Sequence, residues 1–309
     1  MKRKLRIIFV IIVAISSIFI VSSSMKNIRA KTKLDELKGA KLVFPVISDV
    51  HIGGFFFSER KFKNALIDLK ELYPNYNAIA IVGDCVNSGT KAEYMSFMNI
   101  LNKYKEDNAK VMLSMGNHEY YCKGPSNREH ENIFVHETGM AAIYYDKWVQ
   151  GYHFIILAPE NNGYAKLSDN QLNWLKETIK KNASIDKPIF IFLHQPFKDT
   201  VFGSDAWAGI ENHEELYDIL KMYPQVMFFT GHSHYNLEHN KTMCKKDFTM
   251  FNTGSVNYIM TKGDRYEPAS LSQGLVVEVF EHKVVVRCRE FSTHKWIGKY
   301  EVEFPNVSK

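Results

Sequence analysis

Cysteine is scarce and scattered: Cys85, Cys122, Cys244 and Cys288 form no C-x-x-C pair. That excludes a thiolate zinc module and a dithiol redox motif, and a domain of this size needs no disulfide framework. The four thiols therefore read as buried or idle. No linker rich in Pro or Gly divides the chain, and no repeat or low-complexity segment follows the N-terminus, so one catalytic domain is the simplest organisation. A basic excess is missing as well. Lys2, Arg3, Lys4, Arg6, Lys26 and Arg29 fall within thirty residues that contain no acid, and without these six the net charge of +5 becomes −1. A near-neutral remainder gives no general electrostatic case for nucleic acid or an anionic surface.

What is present begins with an export pattern. A basic start is followed by an apolar run from Ile7 to Val21, then Ser22 to Ser24 and a short polar stretch. The sequence therefore predicts a chain exported across the cytoplasmic membrane, with residues 1–30 a signal peptide or an N-terminal membrane anchor. Ala30 suits the last position of a cleavage site, whereas Ile28 is bulkier than the usual residue two places earlier. The run is short for a bilayer span of ~20 residues, and secretion and tethering both stay open. Residues 31–40 read as a short connecting segment and residues 41–309 as the catalytic domain.

From Lys41 onwards, short apolar runs alternate with longer amphipathic stretches. Leu42 to Ser48, Ala78 to Val82, Val111 to Met115, Phe154 to Leu157, Ile189 to Leu193 and Val226 to Thr230 read as buried strands. Ser58 to Leu72, Lys91 to Lys105, Ser168 to Lys180 and Glu211 to Met222 carry apolar residues at helical spacing, with Ser168 placed to cap its helix. The last third is strand-rich: Phe248 to Asn252, Leu275 to Phe280, Lys283 to Arg289 and Lys299 to Phe304, with a tight connection at Glu281-His282. This order predicts an α/β fold of two sheets packed face to face with helices outside.

Chemistry-bearing residues follow the predicted strands, where open α/β sheets place their sites. In order they are Ser48-Asp49-Val50-His51, Gly83-Asp84, Gly116-Asn117-His118-Glu119, His194 and Gly231-His232-Ser233-His234. A single Asp after a strand reads as a turn residue and a single His as a satisfied core residue. Five strand ends carrying His, Asp or Asn beside small Gly residues do not read that way. Carboxylate, imidazole and amide oxygen together suit borderline metals such as Mn, Fe, Zn or Co, rather than Ca or Mg. Asp49 and His51, two residues apart on an extended segment, would project the same way and clasp one ion, and His232 and His234 repeat the spacing. Seven ligands exceed one ordinary site but suit two ions sharing a carboxylate.

This ordered five-part set, spanning about Leu42 to about Ser255, resembles the calcineurin-like metallophosphoesterases. The resemblance implies a four-layer sandwich of two mixed β-sheets flanked by helices and a site of two transition-metal ions, Mn, Fe or Zn. It further implies that Asp49, His51 and His234 hold one metal, that Asn117, His194 and His232 hold the other, and that Asp84 bridges them, with His118 the substrate-facing histidine. The Ser/Thr phosphatase branch follows its Gly-Asp with an Asp-Arg pair that steadies the catalytic His, and purple acid phosphatases place a metal-binding Tyr three residues after the shared Asp. This chain has Asn87-Ser88, which argues against both subclasses.

Two cations ~3.5 to 4 Å apart can hold a bridging hydroxide for in-line attack on phosphorus, and His118 is the natural candidate for general acid to the leaving group. The expected function is hydrolysis of phosphodiesters or phosphomonoesters, with a nuclease-type phosphodiesterase or a non-enzymatic binding module as alternatives. Substrate selection falls to loops carrying Tyr121, Arg128, Phe197, Phe202 and Trp207, with Tyr235 and Asn236 at the rim. Phe202 and Trp207 read equally well as loop packing. Glu119 is expected at the surface in a salt bridge rather than orienting its loop. His130, His136, His153, His213, His239, His282 and His294 match no motif.

Overall fold

A computed structural model describes residues 39–55, 57–261, 265–266 and 270–304. The export segment and most of the connector lie outside the described residues. Among the described residues no helix is long and apolar enough to cross a membrane.

From Lys41 the chain builds two six-stranded mixed sheets and a small two-stranded ribbon, Met260–Thr261 with Arg265–Tyr266. Edge to edge, the first sheet runs Lys295–Glu303, Lys283–Glu290, Gln273–Val279, Leu42–Ile47, Ala78–Val82 and Lys110–Ser114. Its last three strands are parallel; Gln273–Val279 pairs antiparallel with Leu42–Ile47, and the last three strands of the chain are joined as antiparallel hairpins. The tight connection at Glu281-His282 is the predicted one, closing on the Val279–Val284 pair. The second sheet runs Tyr145–Val149, Tyr152–Ile156, Ile189–Phe192, Val226–Thr230, Thr249–Asn252 and Met243–Lys245, with parallel pairing in the middle and antiparallel pairs at both edges.

The continuous apolar runs have their physical reason here. Ala78–Val82, Ile189–Phe192 and Val226–Thr230 are buried along their whole length, as strands covered on both faces must be. Facing residues of the two sheets form one core, in which Phe44 meets Phe154 and Phe190 edge-on at 4.9 and 4.8 Å. On the far side of the second sheet, Ile155, Ile191 and Phe228 pack with Leu172 and Leu175 of the helix Asp169–Ile179 and Leu216 of His213–Leu220. Across the first sheet, Asp68 on the helix Ser58–Leu72 pairs with buried Arg289 at 2.7 Å, which places that helix on the outer face. Its neighbour Lys91–Tyr104 stacks Phe97 on Phe62 at 5.1 Å. The layers are helix, sheet, sheet, helix, as expected.

Besides the short strand Met243–Lys245 and the ribbon, two longer elements depart from the sequence reading. The stretch 120–139, expected as loop, contains the helix Asn127–Thr138, capped by Ser126 with Glu129 in a capping box and closed by Gly139 in the left-handed region. The strand Tyr145–Val149 was also unforeseen. It carries Asp146 and Lys147 mid-strand, so no apolar run marks it. Ser168 caps its helix as predicted, accepting from Gln171 N. All four cysteines are free, Cys85 and Cys288 buried.

Candidate metal centre and active site

The two sheets present the carboxyl ends of their parallel strands to one place. The first sheet delivers Asp49 and His51, Asp84, and Asn117 with His118; the second delivers His194, and His232 with His234. The local backbone corrects the sequence reading. Asp49 (φ 55°) and His51 (φ 50°) are not extended but left-handed, as are Asp84, His232 and His234. Five of the eleven described non-glycine residues with positive φ are thus candidate ligands. Such conformations cost of order 1 kcal/mol or more each and persist where surrounding structure imposes them. Small neighbours make the room: a Cβ on Gly231 would meet Asp49 Oδ2 at 2.5 Å, and one on Gly116 would collide with Asp84 Oδ1.

Every candidate ligand is buried. His51 Nε2 and His234 Nε2 face each other at 3.2 Å, with His234 Nε2 2.8 Å from Asp49 Oδ1. Asp84 Oδ2 lies 3.7 Å from His51 Nε2 and 3.1 Å from His194 Nε2. The donor atoms fall into two groups, Asp49, His51, Asp84 and His234 in one and Asp84, His194 and His232 in the other. Asp84 alone belongs to both. Second contacts fix the rings, because the His194 Nδ1–H donates to Val82 O at 2.8 Å and the His234 Nδ1–H to Tyr258 O at 3.3 Å. Each Nε2 is thereby turned inward.

The residues fit a pair of cations. Asn117 Oδ1 and His232 Nε2 are buried and make no hydrogen bond among the described residues, and His194 Nε2 has the Asp84 carboxylate beside it. Two orphaned acceptors converging beside a buried carboxylate are hard to sustain without a positive charge between them. The electrostatics agree. Burial opposes ionisation of Asp49 and Asp84, yet the adjacent histidines outweigh it and hold both carboxyls below their ordinary range. Burial also lowers His51 and His232 to about 3, with His194 adding to the effect on His232. His194 goes the other way: against burial, Asp84 and Asp49 raise it to about 10.

A proton on His194 and a cation at the same Nε2 exclude each other, which sets a pH dependence. Below a pKa of about 10 the proton must leave before the ion can bind, so affinity should fall about tenfold per pH unit on acidification. Calorimetric titration near neutral pH in buffers of different ionisation enthalpy should register about one proton released per chain on loading. No buffer dependence would contradict this reading of His194.

Glu119 overturns its expected surface position. It is fully buried, and its carboxylate accepts from Asp84 N at 3.0 Å, Val86 N at 3.2 Å and Gly116 N at 2.5 Å. It therefore ties the Asp84 turn to the Asn117 turn. Burial and nearby Asp84 push its pKa up to about 8 against the pull of those N–H groups. Glu119→Ala leaves three buried donors unpaired and should cost ~3 kcal/mol or more of stability, seen as a lowered denaturant midpoint. Glu119→Gln, which keeps an acceptor oxygen, should cost less.

His118 lies beside the ligands without belonging to either group. Its backbone N–H donates to Asp84 Oδ1 at 3.0 Å and its Nδ1–H to Asn87 O at 2.8 Å. A main-chain carbonyl at Asn87 thus steadies the ring where a side-chain Asp is absent. The cavity in front of the site, about 310 Å³, is lined beyond the ligands and His118 by Tyr121, Asn162, Gly163, Trp207, Ala208 and Tyr258. Trp207 stands edge-on to both His232 and His234 at 5.6 Å. Tyr258, which the sequence gave no reason to single out, lies 4.1 Å from the His234 ring. Phe202 instead stacks on His239 at 3.5 Å, Phe197 packs in the core, Tyr235 is buried, and neither Arg128 nor Asn236 lines the cavity. The seven unassigned histidines also lie off the cavity; His153, for example, pairs with Asp146 at 2.8 Å.

Comparison with known proteins agrees with this geometry. The family profile described as calcineurin-like phosphoesterase matches residues 43–236. The 3',5'-cyclic-nucleotide phosphodiesterase of Nostoc sp. is 26% identical over 54% of this chain and 59% of its own length. The 3',5'-cyclic adenosine monophosphate phosphodiesterase CpdA of Haemophilus influenzae is 24% identical over 57% of this chain and 61% of its own. The match thus spans about three fifths of either relative. Among solved structures, a purple acid phosphatase from yellow lupin superposes with a TM-score of 0.58 at 10% identity, covering 85% of this chain and 53% of that one. GAP50 of Plasmodium gives 0.57 at 14% identity over 85% and 88%. At these identities the structures speak for the fold alone.

Proposed function

The chain belongs to the calcineurin-like phosphoesterases and is a metal-dependent phosphoric ester hydrolase, and from that premise we propose that it uses two ions to cleave phosphodiesters of the nucleotide class outside the cytoplasm. The observation that carries this reading is the position of Asp84, whose carboxylate is shared between two groups of buried donors. Asp49, His51 and His234 would hold one ion, and Asn117, His194 and His232 the other. Bound divalent or trivalent cations supply charge to neutralise phosphoryl oxygens and lower the pKa of water into the neutral range.

The protein's own groups do the rest. With Nδ1–H committed to Asn87 O, His118 faces the cavity with Nε2. As the imidazolium it donates the Nε2 proton to the departing ester oxygen while the P–O bond breaks. Among the described residues no Lys or Arg lines the cavity, which favours a diester, with one negative charge, over a dianionic monoester. Trp207, Tyr121 and Tyr258 offer aromatic surface on which a planar base can stack, worth ~1–3 kcal/mol. The names of the cyclic-nucleotide phosphodiesterase relatives point the same way.

After reconstitution with Mn, turnover should be compared on a 3',5'-cyclic nucleotide, an aryl phosphodiester, an aryl phosphomonoester and single-stranded DNA. Both small diesters should be cleaved faster than the monoester. A monoester preference would overturn the diester reading, and preferential DNA cleavage would replace it with a nuclease. Export rests on the basic start and apolar run of the first thirty residues. Full-length protein in the soluble cytosolic fraction would overturn it, and an N-terminus at Lys31 would decide for secretion over tethering.

A further inference from the structure

Tyr121 stands at the mouth of the site, half exposed and lining the cavity. Its hydroxyl accepts from Asn117 Nδ2 at 2.7 Å, the one side-chain hydrogen bond of Asn117 among the described residues. An amide held outward by its nitrogen presents its oxygen inward, and Asn117 Oδ1 is a buried acceptor with no hydrogen-bond partner among the described residues. The same tyrosine ring lies 4.1 Å from the ring of His118, whose opposite neighbour is His51, edge-on at 4.5 Å. Tyr121 therefore touches both residues of the turn that face the chemistry.

Building on the two-ion reading above, we propose that Tyr121 is a positioning residue: its hydroxyl anchors the Asn117 amide so that Oδ1 serves as a ligand, and its ring holds the His118 imidazole over the cavity. Asn and Gln side chains are unsymmetrical ligands, and a restraint on the far end decides how well the near end is presented. A carboxylate at position 117 would offer an oxygen at either end and would not need that restraint. This difference separates positioning from a general effect on the fold.

The test is a chelator-competition titration of metal binding by the full-length protein, comparing Tyr121→Phe in the wild-type and Asn117→Asp backgrounds. In the wild-type background, loss of the hydroxyl should weaken one of the two ions by about 10- to 100-fold, the usual scale for a group that orients a ligand, and leave the other ion unchanged. In the Asn117→Asp background the same change should cost about twofold at most. Equal losses in the two backgrounds, or no loss in the first, would overturn the proposal. A wild type that binds fewer than two ions would overturn the underlying reading and the proposal with it. For the ring, Tyr121→Ala should lower kcat well below Tyr121→Phe at saturating metal, and equal kcat values would remove the His118 half of the proposal.

Discussion

Asp84→Ala is expected to abolish turnover while the protein stays folded. The backbone N–H of residue 84 keeps its bond to Glu119, so the turn retains its main anchor. What is lost is the carboxylate common to both donor groups. Removing it takes a ligand from each ion and the negative charge that favours them, whereas His51→Ala removes a ligand from one group only. Activity should fall on the order of 10³-fold or more, because several kcal/mol of charge stabilisation in the transition state goes with the ions. Metal analysis should find both sites impaired in Asp84→Ala and mainly one in His51→Ala. Retention of both ions by Asp84→Ala, with circular dichroism unchanged, would show that Asp84 does not join the sites.

The second large effect separates His118 from the ligands that surround it. His118→Ala should leave metal content nearly unchanged and lower the rate ~10²- to 10⁴-fold, the range for loss of a general acid. The loss should depend on the leaving group. A nitrophenolate departs as a stable anion and needs little protonation, whereas the alkoxide released from a ribose ester is strongly basic. The variant should therefore be hurt more on the cyclic nucleotide than on the aryl diester. Equal losses with metals retained would mean that His118 binds phosphate in ground and transition states alike, without protonating anything. Loss of a metal would move His118 into the ligand set.

Much of this site was legible because the sequence marks strand ends clearly. Runs such as Ala78–Val82 and Val226–Phe229 are uniformly apolar and are followed closely by Gly and then Asp or His, so the ligands could be placed before their geometry was known. The side-chain directions were not legible in the same way. Asp49 and His51 reach one place through left-handed backbone, a conformation that composition does not announce in non-glycine residues. Glu119 misled because a carboxylate next to a loop is usually exposed; only the three inward-pointing N–H groups of two separate turns explain why it is buried. The helix Asn127–Thr138 had a readable start in Ser126 and Glu129, yet its polar composition (Asn127, Arg128, Glu129, Glu131, Asn132) blurred the apolar stripe. Tyr258 carries no local signal, since its place beside His234 depends on the path of the chain after Thr249–Asn252.

The account turns on one quantity, the number of ions per chain. Elemental analysis of the wild-type protein, loaded with Mn, Fe or Zn and freed of excess by gel filtration, measures it directly. Two ions per chain are predicted, because Asp84 joins two groups of buried donors and Asn117 Oδ1 and His232 Nε2 have no other partner among the described residues. A single ion at saturation would contradict the two-ion centre.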